Sequence, residues 1–242
     1  MSAPTVGMIG AGQLAQMSLA PAIALGINLK ILASEESDSA AKTAKVEIGN
    51  YRDLEVLRNF AKGCDFLTFE HELVPNGHLR VLEDEGFVIR PSSKSLLVAQ
   101  DKAHMRQTFT ENQIPCPEWK VVDNVSGIPK FPAILKSITG GYDGRGVQLV
   151  QDELSAKKVI AEWGKALYEE VVPFDRELSI LIARSPHNQV ATWAVTETIQ
   201  RDGICIETIT PAPNLSEEVA NLAQQIASDI ANTIKLVGVM AV

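Results

Sequence analysis

A glycine-rich segment between two short apolar runs is the feature that most restricts how this chain can fold. Residues 139–146 include four glycines, and the apolar runs 131–136 and 147–150 flank them. Glycine tolerates positive φ and lets the backbone come close to a ligand, so such a segment can turn its N–H groups toward phosphate oxygens. The pattern predicts a β-hairpin that folds over a nucleotide as a lid, with Lys136 beneath it as a charge for phosphate.

Two other interpretations of the segment are open. A Walker A loop would end in Gly-Lys-Ser/Thr before a helix, and neither feature is present in the sequence. A flexible surface hairpin that binds nothing is the second alternative. It is less favoured, because Tyr142, Asp143 and Arg145 are costly choices for a simple turn.

The run from Lys136 to Gly146, KSITGGYDGRG, resembles the phosphate-lid hairpin of the ATP-grasp enzymes. Its GGYDGRG part is similar to that of the ATP-dependent carboxyaminoimidazole ribonucleotide synthetases of purine biosynthesis, and the similarity extends along nearly the whole chain. The resemblance implies an α/β fold with a Rossmann-like pre-ATP-grasp domain over residues 1–100. A two-lobed ATP-grasp domain would follow, with the lid-bearing central lobe at 101–172 and a second, incomplete lobe at 173–242.

The N-terminal region predicts a βαβ unit. An apolar run at residues 5–9 enters a G-x-G-x-x-A turn that matches the dinucleotide fingerprint, and Glu35 and Glu36 stand about where a ribose-binding acid would lie. Pro21 predicts a kink or an early end of the helix. A nicotinamide-dependent oxidoreductase is therefore an alternative. It ranks second, because such a turn serves any phosphate at a helix N-terminus and the resembling family opens with a segment similar to GAGQLAQM without using NAD.

Two acidic residues at the end of a later strand are candidates for substrate contact. Glu70 and Glu72 project to one side of an extended segment, at the carboxyl end where open α/β sheets bind ligands. From the residues alone, a solvated strand end is the favoured explanation. The resemblance changes this, because the family carries a similar T-F-E-x-E segment facing the ribonucleotide. It implies a substrate site formed by Gly10, Ala11, Gly12, Gln13, Glu70, Glu72 and Tyr142.

The resemblance also assigns a nucleotide site. Carboxylates suit the adenine and ribose part, because they accept hydrogen bonds from amino and hydroxyl groups. The positions on the adenine strand and the ribose acid are Glu169, Glu170, Val171, Val172 and Glu177. The positions in and beside the lid are Lys102, Lys136, Gly141, Tyr142, Asp143, Gly144, Arg145, Gly146 and Val147, among which Lys136, Tyr142 and Arg145 are the candidate catalytic residues.

Three of these positions have competing explanations. A solvated helix lysine explains Lys102 nearly as well as a nucleotide contact does, and a salt-bridged strand residue is an alternative for Glu170. Gln200 stands where the family usually has a histidine, and a glutamine amide could still bond a ribose or a phosphate.

Charge and composition exclude several partners. A net charge of −8 at pH 7 argues against nucleic acid and anionic membranes, and no run approaches the roughly 18 apolar residues of a membrane span. Three widely separated cysteines indicate reduced thiols in a cytoplasmic protein. The sequence does not decide the oligomeric state, so a homodimer is left open.

In the intact family, ATP phosphorylates bicarbonate to carboxyphosphate, and the amine of aminoimidazole ribonucleotide is then carboxylated. The resemblance therefore implies these three small-molecule substrates and Mg²⁺ as a cofactor. The chain ends inside an apolar run at residues 237–242, and the family's magnesium ligands would follow Val242. We therefore expect a truncated chain without a complete metal site. A nucleotide-binding fragment without catalysis is the alternative of a different class.

Overall fold

The structure is a computed structural model that describes residues 3–141 and 146–242. It is a mixed α/β protein that divides into two units, Met1–Leu96 and Leu97–Val242. Each unit has its own sheets and its own apolar core. The predicted α/β class is therefore confirmed, whereas the three predicted domain ranges stay predictions.

The first unit is built on a parallel four-stranded sheet in the order β3-β2-β1-β4. Its strands are β1 (Thr5–Ile9), β2 (Asn28–Ala33), β3 (Glu47–Ile48) and β4 (Phe66–Phe69). Strand β1 pairs with both β2 and β4, so the carboxyl ends of these three strands meet at one edge of the sheet. The predicted βαβ unit is confirmed, and that edge is where the glycine turn lies.

Four α-helices are described in this part of the chain, and the unit boundary falls inside the last one. They are α1 (Gln13–Ala24), α2 (Leu54–Ala61), α3 (Asn76–Asp84) and α4 (Ser93–Gln100). Helix α1 continues through Pro21 to Ala24, so of the two predicted outcomes the early end is wrong and the kink stays a prediction. Proline removes one intrahelical donor, but its carbonyl still accepts the N–H of Leu25 at 3.0 Å. Buried apolar residues of the strands and of α2 and α3, including Ile9, Leu57 and Leu79, form the core.

The second unit contains an antiparallel sheet in the order β5-β8-β6-β7. The strands of this sheet are β5 (Trp119–Val122), β6 (Ala133–Ser137), β7 (Val147–Val150) and β8 (Ala166–Glu170), and the helices of the same stretch of chain are α5 (Lys102–Glu111) and α6 (Glu153–Trp163). Strands β6 and β7 pair antiparallel with Lys136 opposite Val147, which confirms the predicted hairpin. The sequence predicts a helix over about Lys102–Glu111 with Asp101 as its N-cap, and both are confirmed, since the Asp101 side chain accepts the N–H of His104.

Two further antiparallel sheets, β13-β12-β9 and β11-β10-β14, complete the second unit. Their elements are β9 (Glu177–Ser179), β10 (Leu181–Arg184), β11 (Val190–Thr192), β12 (Thr196–Arg201), β13 (Ile204–Ile209), α7 (Glu217–Thr233) and β14 (Gly238–Ala241). The sequence predicts one strand over 178–183, but the run is divided. Its first part pairs with β12 and its second part with β11 and β14, so Ile180 marks a change of sheet. Within the described residues, no helix combines the length and apolar character that crossing a membrane requires.

Candidate functional site

One buried carboxylate in the second unit is shared by two cations. Glu169 lies on β8 and is only 4 % exposed. Its Oε1 accepts a hydrogen bond from Nε of Arg106 at 2.6 Å, and its Oε2 lies 2.6 Å from Nζ of Lys136. A buried carboxylate is stable only when it is paired and hydrogen-bonded. The three side chains form one unit, which we call the Glu169 cluster.

The register of β6 and β8 places Lys136 beside Glu169. Glu169 lies opposite Ile134 in the antiparallel pair, and residues directly opposite each other point to the same face of a sheet. Lys136 is two residues along from Ile134, so it projects to that face as well. The neighbouring Tyr168 points to the other face, where it is 1 % exposed and belongs to the apolar core.

The two cations set the ionisation of the Glu169 cluster. Burial raises the pKa of the Glu169 carboxyl, but hydrogen bonds and charge from Arg106 and Lys136 outweigh burial and hold that pKa below its ordinary value. Glu169 is therefore a carboxylate at neutral pH. Two cations around one anion leave the cluster with net positive charge. Lys136 lies near the carboxyl end of β6, the strand that leads into the glycine-rich segment.

The glycine-rich segment has the backbone conformation that the sequence predicts. Gly140, Gly141 and Gly146 all have positive φ, at 71°, 82° and 77°. The N–H of Ser137 donates to the carbonyl of Gly146 at 2.8 Å and closes the base of the hairpin. A Cβ added to Gly146 would collide with Oγ of Ser137, so this position requires glycine on two grounds.

Part of the predicted lid lies outside the described residues. This applies to Tyr142, Asp143, Gly144 and Arg145, so the nucleotide, substrate and catalytic roles assigned to them stay predictions. Val147 is described, and it lies on β7 with a partly exposed side chain.

Lys102 contacts the backbone of the glycine-rich segment. Its Nζ donates to the carbonyl of Gly140 at 2.7 Å, and its N–H donates to the carbonyl of Ile138 at 2.9 Å. Asp101 and Thr139 also form an antiparallel bridge beside these bonds. The N-terminal end of α5 is therefore attached to the start of the glycine-rich segment, which does not support the interpretation of Lys102 as a solvated lysine. Its contact with a nucleotide stays a prediction.

The predicted adenine and ribose residues are spread over two sheets. Glu170 ends β8, and its Oε1 accepts the N–H of Glu118 at 3.1 Å. Val171 and Val172 follow it and are exposed. Glu177 and Gln200 lie on the neighbouring strands β9 and β12 of another sheet. The described contacts bring only Glu169 and Lys136 of the predicted nucleotide set into one side-chain cluster, and the roles of the others stay predictions.

Arg106 is the residue of the Glu169 cluster that the sequence interpretation missed. It stands four residues after Lys102 on α5, and residues with that spacing share one face of a helix. A search for a second cation on the face of Lys102 would have found it.

In the first unit, the side chain of Glu70 fills the glycine turn. Its Oε2 accepts the N–H of Gly12 at 2.5 Å, and its Oε1 accepts those of Leu14 at 3.0 Å and Ala15 at 3.3 Å. A Cβ on Gly12 would lie 2.5 Å from Oε1, and one on Gly10, whose φ is +108°, would lie 2.8 Å from Cβ of Glu70. The two glycines therefore make room for this carboxylate, which caps α1.

This cap decides between two interpretations of the turn. The amides that a dinucleotide fold offers to pyrophosphate are here bonded to a carboxylate, which would repel phosphate. The structure therefore does not support the nicotinamide interpretation, and Glu70 is not a solvated strand end. Glu35 and Glu36 are both exposed, and the Glu35 carboxylate accepts from Ser37 Oγ.

Two aromatic side chains lie beside the capped turn. The rings of Tyr51 and His71 are 5.0 Å apart between centroids, and Nδ1 of His71 accepts the N–H of Leu73 at 3.2 Å. Of the other predicted substrate residues, Ala11 is buried, Gln13 is exposed and Glu72 is half-buried. Across residues 3–141 and 146–242, no group of three or more His, Cys, Asp or Glu side chains could hold a metal ion.

Both parts of the chain match known protein families. Residues 107–242 match the ATP-grasp domain, and residues 3–100 match the ribonucleotide synthetase preATP-grasp domain. The chain is 43 % identical to the N5-carboxyaminoimidazole ribonucleotide synthase of Mycobacterium tuberculosis, over 99 % of this chain and 58 % of that protein. It therefore spans less than two thirds of the length of this relative.

Solved structures of such synthetases have the same fold. The ADP complex of one N5-carboxyaminoimidazole ribonucleotide synthetase aligns with a TM-score of 0.91 at 28 % identity, over 99 % of this chain and 66 % of that one. The Aspergillus clavatus enzyme in complex with ADP and 5-aminoimidazole ribonucleotide aligns with a TM-score of 0.88 at 25 % identity, over 99 % of this chain and 65 % of that one. The fold described above therefore matches about two thirds of each of these two chains.

Proposed function

The chain belongs to the ATP-grasp family, and on this premise we propose that it serves the ATP-dependent carboxylation of aminoimidazole ribonucleotide with bicarbonate, a step of purine biosynthesis. One observation in the structure carries the proposal. The Glu169 cluster, which has net positive charge, lies at the base of a glycine-rich hairpin whose backbone is itself bonded to Lys102. The names of the relatives supply the substrate.

The cluster suits the triphosphate end of ATP. Lys136 is 24 % exposed and carries three N–H donors, of which Glu169 uses one. The remaining donors can bind phosphate oxygens and reduce the charge repulsion that opposes attack on the γ-phosphate. Glycines at the lid positions let backbone N–H groups approach the same phosphates.

The proposed reaction has two steps. A bicarbonate oxygen attacks the γ-phosphorus of ATP, and the bond between the γ-phosphorus and the bridging oxygen of the β-phosphate breaks. The products are carboxyphosphate and ADP, which departs with the bridging oxygen. The exocyclic amine of the ribonucleotide then attacks the carbonyl carbon, phosphate leaves with the electron pair of the C–O bond, and the amine gives up a proton. Lys136 would act in the first step.

Magnesium, when bound, would neutralise phosphate charge in this reaction. The described residues contain no cluster of three or more side chains that could hold a metal ion.

For the ribonucleotide, we propose contact with the capped turn of the first unit. The carboxylate of Glu70 is fixed by three backbone N–H groups, and Oε2, which accepts only one of them, retains acceptor capacity for a ribose hydroxyl. The predicted set, which also includes Gly10 to Gln13, Glu72 and Tyr142, remains the candidate site. The Aspergillus clavatus enzyme binds 5-aminoimidazole ribonucleotide in its solved complex, which supports this class of substrate.

Calorimetry and a coupled assay test the proposal. We expect ATP to bind, and we expect any release of ADP and phosphate to require both bicarbonate and aminoimidazole ribonucleotide. ATP binding without release would favour a nucleotide-binding protein without catalysis. A fluorescence titration showing that NADH binds and ATP does not would favour the oxidoreductase alternative.

Two finer proposals concern location and assembly. The proposed substrates are soluble metabolites, which supports a cytoplasmic location. Size-exclusion chromatography would test the homodimer that the sequence leaves open.

A further inference from the structure

We infer that Arg106 is a positioning residue for phosphate binding, because it neutralises Glu169 and so leaves the charge of Lys136 available to the ligand. The inference rests on the proposed function, since it takes a nucleotide phosphate as the ligand. Arg106 comes from α5 and lies outside the hairpin and the strand that the family resemblance assigns to the nucleotide.

The geometry divides the work between the two carboxylate oxygens. Arg106 occupies Oε1 through Nε at 2.6 Å, and Lys136 occupies Oε2 through Nζ at 2.6 Å. The side chain of Arg106 is 16 % exposed and that of Lys136 is 24 % exposed. Of these two cations, only Lys136 lies on a strand of the lid hairpin, where it is opposite Val147. Lys136 is therefore placed to meet the ligand, and Arg106 to support it.

The charges of the cluster give the reason for this support. A carboxylate as buried as Glu169 must be compensated, because an unpaired buried charge is strongly destabilising. If Lys136 were its only partner, the pair would be neutral and the lysine would be held by the carboxylate. With Arg106 present, the cluster keeps a net positive charge that an anionic phosphate can use. Arg106 thus acts on phosphate binding through Glu169.

Helix α5 links this role to the lid. Lys102 and Arg106 are four residues apart and share one helical face. Lys102 bonds the lid at Gly140, and Arg106 bonds Glu169. One rigid helix therefore holds the hairpin backbone and the carboxylate beside it at a fixed spacing.

The test compares ligands that differ in their number of phosphates. Calorimetric affinities for adenosine, AMP, ADP and ATP are measured for wild type, R106M and R106K, with R58M as the matched control. Arg58 forms another arginine–glutamate pair, in the first unit. We expect R106M to lower the affinity for ATP by about tenfold or more and the affinity for adenosine by much less, because Glu169 would then neutralise the charge that Lys136 offers to the phosphates. R106K should recover most of the ATP affinity, and R58M should leave it unchanged.

A double-mutant cycle with E169Q separates support from direct contact. If Arg106 acts through Glu169, R106M should cost little ATP affinity once residue 169 is neutral. A cost that persists in the E169Q background would mean that Arg106 contacts phosphate itself, and the inference would be wrong.

Other outcomes also overturn the inference. Equal losses for adenosine and ATP would assign Arg106 to the fold alone, and an R106M protein with wild-type affinity for ATP would remove its role. If R106M does not fold, R106Q replaces it as the neutral variant that keeps a hydrogen-bond donor. A wild-type protein that binds none of the four ligands would instead contradict the proposed function. The affinities of the wild-type protein are therefore measured before any variant is made.

Discussion

The carboxylate of Glu70 accepts the backbone N–H of Gly12 at 2.5 Å and closes the turn that opens α1. The bond joins residues that are 58 positions apart in the sequence. It gives the Gly-x-Gly pattern a structural explanation, in which the turn is shaped around an acid of its own chain. This turn therefore resembles a dinucleotide fingerprint in its sequence pattern, but its backbone N–H groups bond the Glu70 carboxylate where a dinucleotide fold would bond pyrophosphate.

Replacing Glu70 should destabilise the first unit. In E70A, three exposed or part-buried N–H groups at the start of α1 lose their acceptor, and loss of a helix cap costs roughly 0.5–2 kcal/mol. We expect the free energy of unfolding to fall by about that amount in urea denaturation. E36A removes an exposed glutamate of the same unit and should change the free energy of unfolding little. Equal effects of the two variants would contradict the capping role.

A methyl group at Gly12 should also be costly. Its Cβ would lie 2.5 Å from Oε1 of Glu70, so G12A must displace the cap. We expect a loss of roughly 1–3 kcal/mol in the free energy of unfolding, the usual cost of overpacking. Gly77 on α3 has no atom within 4 Å of the equivalent position, so G77A should be neutral or slightly stabilising. Combining G12A with E70A should give less than the sum of the two losses, and full additivity would argue against a shared contact.

Two glycines of the hairpin should respond differently to alanine. Gly140 and Gly146 both have positive φ, but only at Gly146 would the new Cβ meet Oγ of Ser137. G146A should therefore weaken ATP binding and lower the melting temperature more than G140A does. Adding S137A removes the oxygen atom and should restore part of the loss. A G140A protein that is affected as strongly as G146A would mean that backbone strain alone is responsible.

Lys136 should matter more for ATP than for adenosine. A charge-assisted bond to phosphate is worth roughly 1.5–3 kcal/mol, so K136A should lower the affinity for ATP by about tenfold to a hundredfold. K120A, an exposed lysine on β5 of the same sheet, is the control and should leave calorimetric affinities unchanged. Equal losses of ATP and adenosine affinity in K136A would assign the lysine to the fold.

The Glu169 cluster should make stability depend on pH in the acidic range. Burial raises the pKa of Glu169, but Arg106 and Lys136 hold it below its ordinary value of 4.5, so the unfolded chain takes up the proton first. Its stabilising contribution is complete above pH 4.5 and is lost as pH falls through the lower pKa of the folded state.

The measurement is the difference in free energy of unfolding between wild type and E169Q as pH is lowered. We expect this difference to be constant near neutral pH and to narrow below the ordinary pKa of a glutamate. E162Q, an exposed position on α6, is the control for a general effect of acid. A difference that grows as pH falls would contradict the sign of the pKa shift.

Local sequence patterns predicted the elements whose cause is local. Helix α5 begins where the sequence predicts, because Asp101 is an N-cap and its bond to the N–H of His104 is made within one turn. The β6–β7 hairpin follows from two apolar runs around glycines with positive φ. The division of the run 178–183 between two sheets was not predicted, since it depends on partners more distant in the sequence.

The candidate site shows the same division. Lys136 and Glu169 could be named from the resemblance, but their direct contact is fixed by the register of β6 against β8. Arg106 is 63 positions from Glu169, and the bond between them requires α5 to lie beside the sheet. Amphipathic periodicity gives the face of a helix without giving its partner, so this contact and the cap by Glu70 were visible only in the structure.

The spacing of Lys102 and Arg106 on α5 has a consequence for sequence divergence. One residue inserted between them would turn Arg106 by about 100° around the helix axis, away from Glu169. A deletion would turn it by a similar angle in the opposite direction. Homologous sequences that retain both bonds can therefore vary in side chains along this helix but not in the number of residues between its two cations, so a gap there in an alignment would indicate that one of the bonds has been lost.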